Sequence, residues 1–186
     1  MKTITEEIFE WSENFVDKKS KKLGGWILCP YARKARLSGK VEVVEVKEAN
    51  EAVIEENKKK TVAARTFKEQ NKDLIVVACS DFELDAYELV CYVEALNHTF
   101  VRDDVYLMPF HPYDDSEEVE FLEDNLETEN EFFMVLIQLF SKLEEASENL
   151  NKQGYYDNWD EEYYKDTVLK RQSYRRIHYG GEKESS

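Results

Sequence analysis

The stretch Leu74 to Cys79, LIVVAC, constrains this chain more than any other, because six apolar residues in a row bury nothing unless covered on both sides. The run is of strand length and rich in β-branched residues, so it predicts a central strand sandwiched between two layers. A second run, Val41 to Val46 (VEVVEV), sets Glu42 and Glu45 among valines and predicts a strand with one face partly wet. A third, Val105 to Phe110 (VYLMPF), contains Pro109, which cannot donate to a ladder and so marks a strand end or a sheet edge.

Helical signals separate these strands. Ile8, Trp11, Phe15 and Val16 recur at helical spacing between Glu6 and about Lys22, and Gly24-Gly25 ends that segment. Trp26 to Leu28 reads as a short strand or an extended loop. Pro30 then fits the first turn of a helix that Ser38-Gly39 closes. Glu48 to about Asn71 carries a thin apolar stripe, as expected of a peripheral helix. Ser80 and Glu83 have capping-box spacing ahead of a helix running to about Asn97. A last helix is expected within Glu117 to Asn149, and most strongly over Glu131 to Leu143, where Phe132, Phe133, Leu136, Leu139, Phe140 and Leu143 form a wide face.

This alternation predicts an α/β (or α+β) domain over residues 1–150, with a small, mostly parallel sheet of three to four strands packed with helices. Residues 151–186 read as a C-terminal appendage, first rich in tyrosine and acid and then basic. Its aromatic cluster, Tyr155, Tyr156, Trp159, Tyr163 and Tyr164, is expected to dock on the domain or on a partner.

A formal charge of −15 repels phosphate backbones and anionic bilayers, so neither nucleic-acid nor membrane binding is expected. The first residues carry Glu6, Glu7 and Glu10 in place of a basic, apolar leader, and three cysteines at irregular spacing suit reduced thiols, so a cytoplasmic protein is expected. No phosphate-binding glycine loop and no metalloprotease motif occurs, and the sequence names no cofactor.

Three residues carry the candidate chemistry. Cys29, before Pro30, sits where free helix N–H groups stabilise a thiolate, with Arg33 one turn on as a cation for an anionic group and Tyr31 beside it as a further binding residue. Its competing role is to pack with Trp26, Ile27 and Leu28 as a small apolar side chain. His111, in Phe110-His111-Pro112, follows the third strand, where ligands of open α/β sheets gather, although a histidine there also serves to fix a turn. Asp81 follows the central strand and reads either as a helix cap or as the carboxylate orienting His111. A weaker metal reading joins His111 to Asp114 and Asp115, with Asp81 or Glu83, and no metal is assigned.

Leu28-Cys29-Pro30-Tyr31-Ala32 followed by VEVVEV resembles the active-site turn of a glutaredoxin, with Ala32 standing where that family has its second cysteine. Over about residues 6 to 146 the chain also resembles the bacterial family named domain of unknown function 1415. That likeness rests on Trp11 with Asn14, Leu28 to Ala32, VEVVEV, LIVVAC, Ser80-Asp81-Phe82 and Phe110-His111-Pro112. After the His-Pro pair it departs, with Tyr113-Asp114-Asp115 where the family has Asp-Tyr-Gln-Phe. The resemblance implies a shared Cys29, Asp81 and His111 constellation and supplies no activity. Two functions are therefore expected as alternatives: an enzyme acting on a small molecule through these three residues, or a non-catalytic acidic adaptor binding a protein partner through its acidic face and tyrosine-rich tail.

Overall fold

The computed structural model describes residues 2–47, 54, 55, 58, 64–80, 84–113 and 132–180. Helix α1 spans Ile4–Trp11 and continues as a π-helical turn, Ser12–Val16; α2 spans Pro30–Leu37 and strand β1 Val41–Val46. Then come α3 (Ala64–Gln70), β2 (Leu74–Cys79), α4 (Ala86–Phe100), β3 (Val105–Phe110), β4 (Phe133–Leu139) and α5 (Phe140–Asn151). The C-terminal segment adds α6 (Glu161–Tyr164), a second π-helical turn (Lys165–Leu169), α7 (Lys170–Ser173) and α8 (Arg175–Tyr179).

The four strands form one mixed sheet in the order β1-β2-β4-β3. β1 and β2 pair in parallel, with Val41 opposite Leu74, whereas β4 runs antiparallel to both β2 and β3. The α/β class and the three expected strands are present. The expectation of a mostly parallel sheet is corrected, since a single strand pair is parallel and β4 enters between β2 and β3 in the opposite direction.

β4 also corrects the helix expected over Glu131 to Leu143. Phe133, Val135 and Ile137 face one layer while Met134 and Leu136 face the other, so the strand is buried on both faces. Five apolar residues in a row, Phe133 to Ile137, leave no alternation to betray the strand, and its phenylalanines and leucines fall at helical spacing by coincidence. Helix begins only at Phe140. Its first turn is capped from elsewhere in the chain: the Ser141 N–H and hydroxyl both donate to the Asp104 carboxylate at 2.7 Å, and the Phe140 N–H donates to the Asp104 carbonyl at 3.0 Å. Asp104 does this from a left-handed backbone, φ 61°.

β3 is an edge strand, which is where Pro109 is tolerated. Its outer backbone is partly covered by α4: buried Asn97 accepts from the Leu107 N–H at 2.8 Å and donates to the Leu107 carbonyl at 2.9 Å. That pair removes two edge groups from the set open to a foreign strand. The N-cap of α4 is Asp85, five residues beyond Ser80, and it forms a capping box with Glu88, each side chain bonding the other's backbone N–H.

Two cores flank the sheet. On one face Ile75, Val77 and Val135 pack against Leu89 and Val93 of α4 and Phe67 of α3. On the other, Val76, Ala78 and Met134 pack against Ile8 and Trp11 of α1, with Phe15, Ala35 and Tyr163. The last residue belongs to the segment read as an appendage, and it is not alone there. Tyr155 is 2% exposed and its hydroxyl donates to the carbonyls of Ile27, at 3.1 Å, and Leu28. Val168, Arg171 and Tyr174 are buried too, Tyr174 in a third, smaller cluster with Val101 and Phe140, so the segment is packed into the fold instead of trailing from it.

Candidate functional site

On the face of the sheet that carries the second core, packing leaves an apolar cavity of about 180 Å3. Its floor is Leu74, Leu136 and Met108, from three adjacent strands. Trp11 and Phe15 close one side, Cys29 and Tyr31 at the start of α2 another, and the C-terminal segment supplies Tyr155, Trp159 and Arg171. Both π-helical turns reach it, the first through Phe15 and Val16 and the second through Thr167. Such turns widen a helix by one residue and recur at functional sites.

Cys29 is the N-cap of α2, and its Sγ accepts from the Ala32 N–H at 3.4 Å. This is the helix-start geometry the sequence predicts. The expected electrostatic result is reversed: burial pushes the thiol pKa up, and the N–H groups of Ala32 and Tyr31 offset only part of that. The raised pKa disfavours a thiolate, and partly buried Cys29 forms an apolar stretch of the wall with a weak polar atom.

Arg33 lies at 3.5 Å from the Asp17 carboxylate, which Arg36 also engages, and it is not among the residues lining the cavity. Tyr31 does line it. The Tyr31 hydroxyl donates to the Asp73 carbonyl at 3.1 Å, and burial, with Asp73 and Cys29 nearby, raises its pKa.

His111 belongs to the opposite layer. Its ring stacks on Phe133 at 6.1 Å, its Nδ1 accepts from the Tyr113 N–H at 3.2 Å, and its Nε2 lies 3.1 Å from the Leu84 carbonyl. With Nδ1 accepting, the proton sits on Nε2 and is donated to Leu84. His111 is thus a buried ring that ties the end of β3 to the approach to α4. The sheet separates it from Cys29, whose neighbours are Phe110 and Leu136 of the other face. The expected meeting of Cys29 and His111 does not occur, because successive residues of β3 point to opposite faces and Phe110 takes the cavity side.

Asp81 lies outside the described residues, as do Glu83, Asp114 and Asp115. Among the described residues no three His, Cys, Asp or Glu side chains are grouped to hold a metal ion. No described helix is long and apolar enough to cross a membrane.

Charge at the cavity wall is internally balanced. The Arg171 guanidinium donates to Glu144 at 2.6 Å and to the Ser147 hydroxyl at 2.7 Å, and Ser147 in turn lies 2.7 Å from the Tyr156 hydroxyl. Burial works against the Arg171 charge, but the bond to Glu144 outweighs it and holds its pKa above the usual value. Trp11, Trp159 and Gln138 also line the cavity without carrying a reactive group, and the signal for them in the sequence is the aromatic cluster from Tyr155 to Tyr164. Comparison with protein-family models, curated proteins and solved structures finds no match to this chain.

Proposed function

We propose that this protein binds a small, mainly apolar molecule in the cavity between the sheet, the start of α2 and the C-terminal segment. One observation carries the reading: separated parts of the chain converge around apolar space of about 180 Å3, partly open to solvent, instead of collapsing into it. Protein interiors close such voids unless something holds them open, and an engineered apolar cavity of roughly 150 Å3 takes up benzene. A ligand of one or two rings matches that size. A charged nucleophile is not part of the proposal, since burial raises the Cys29 pKa and Arg171 is already paired with Glu144.

The test is calorimetric titration with monocyclic aromatic compounds on the intact chain and on Leu136→Phe, which adds volume at the cavity floor. The proposal expects saturable binding by the native protein and its loss in the variant, with melting temperature unchanged or raised. Equal binding by both proteins would place the ligand elsewhere and refute it.

A further inference from the structure

One buried polar side chain of the cavity has half of its hydrogen-bonding capacity unused. Gln138 lies on β4 two residues beyond Leu136, so strand alternation sets its side chain on the cavity face, and it lines the cavity. The residue is 3% exposed. Its Nε2 donates to the Met108 Sδ at 3.0 Å, and a thioether is a weak acceptor with no proton to give. That contact fixes which end of the amide is nitrogen and leaves the oxygen as the free end. Gln138 Oε1 accepts from no described residue. It is not one of the partnerless atoms that packing seals off, so a molecule the size of water reaches it, and the cavity is the space that Gln138 borders. Three other buried polar side chains of the lining are engaged by the protein. The Tyr155 hydroxyl donates to backbone carbonyls, and Arg171 is bonded to Glu144 and Ser147. A buried amide oxygen ordinarily has a donor, because leaving it unmet costs the desolvation of the group.

We propose that the ligand of this cavity is a neutral ring compound carrying a hydrogen-bond donor, of the phenol type, whose hydroxyl donates to Gln138 Oε1. This rests on the cavity-binding reading above and adds the ligand's chemical class. A hydrocarbon of the same shape fits the apolar lining but displaces water from the amide oxygen without replacing its bond. An anion meets no unpaired cation in the wall, since Glu144 already compensates Arg171, and a cation meets no carboxylate among the lining residues.

Two probes of matched shape, 4-fluorophenol and 4-fluorotoluene, are titrated by fluorine NMR against the native chain and Gln138→Leu, which keeps the side chain's bulk and removes its amide. The affinity of the phenol relative to the toluene is expected to fall by roughly ten-fold in the variant, the effect of one buried hydrogen bond. The ratio is read within one protein, so a loss of folded fraction does not alter it. The native chain gives a second readout that needs no variant: the Gln138 side-chain amide resonances are expected to shift more with 4-fluorophenol than with 4-fluorotoluene. An unchanged ratio in Gln138→Leu, equal amide shifts with both probes, or native binding of the toluene alone would overturn the donor assignment while leaving the cavity reading standing. Failure of both probes to bind the native chain would overturn the cavity reading itself.

Discussion

Glu144→Gln keeps the shape of a side chain that is 3% exposed and removes its charge. In the native protein its carboxylate receives the Arg171 guanidinium at 2.6 Å on one oxygen and that of Arg175 at 2.5 Å on the other. The two arginines are not equivalent. Arg171 is 5% exposed, so losing Glu144 leaves a buried cation without a counter-charge, a change that costs about 3 to 5 kcal/mol in comparable pairs. Arg175 is 38% exposed and also reaches Glu148, so its share is below about 1 kcal/mol. Because glutamine still offers one oxygen acceptor, the lower end is expected: about 3 kcal/mol, or about 6–12 °C in melting temperature for a chain of this size.

The assay is urea unfolding followed by circular dichroism, with Arg175→Ala as the exposed control and Glu144→Leu with Arg171→Met as the apolar replacement. The double variant is expected to recover most of the loss, since replacing a buried pair by packed apolar side chains is often neutral. A Glu144→Gln cost below about 1 kcal/mol, or one equal to that of Arg175→Ala, would refute the claim that the C-terminal segment is held by a desolvated ion pair.

Removing residues 151–186 takes Tyr163 and Trp159 from the second core, together with buried Tyr155 and Val168, so the remainder is expected to bind a hydrophobic dye and to lose cooperative thermal unfolding; a sharp, unshifted transition would contradict this. Alkylation of Cys29 is expected to be slow at pH 7 and to accelerate only above the ordinary thiol pKa of about 8.5, and fast labelling at pH 7 would contradict the raised pKa. At Asp73 burial works against the carboxylate, but bonds from Lys142 and Lys40 outweigh it and lower the pKa. A depressed folded pKa adds stability that is complete above the unfolded value near 4 and is lost as pH falls through the folded one, so Asp73→Asn is expected to flatten the acid limb of the stability profile below about pH 4 and to lower stability at neutral pH. Gly24→Ala is expected to cost about 1 kcal/mol in urea unfolding, because φ is +64° there and a Cβ would meet the Asn158 side chain; an unchanged midpoint would contradict it.

Strands β1, β2 and β3 were legible because each carries its own signature: β-branched alternation, an uninterrupted apolar run, and a proline that proved to sit on an edge. The start of α2 at Pro30 was legible from the local fit of proline to a first turn. β4 was not, because full burial on both faces erases the period that separates strand from helix, and the cap that ends it is Asp104, more than thirty residues upstream. The site divided along the same line. Cys29 and Tyr31 do line the cavity, but placing His111 beside them required knowing which face each β3 residue takes, and that register is fixed by β4. The acidic and aromatic tail showed its composition without showing its destination. Its tyrosines bury against Ile27, Leu28 and Ser147, contacts set by distance in space and not by spacing in sequence.

The space walled by Trp11, Leu136 and Trp159 is the proposed ligand site. The most direct measurement is anomalous diffraction from crystals of the full chain soaked with 4-bromophenol. A bromine peak inside that cavity is expected; a peak only at the molecular surface, or a cavity whose density is unchanged at saturating ligand, would show that the cavity is not a ligand site.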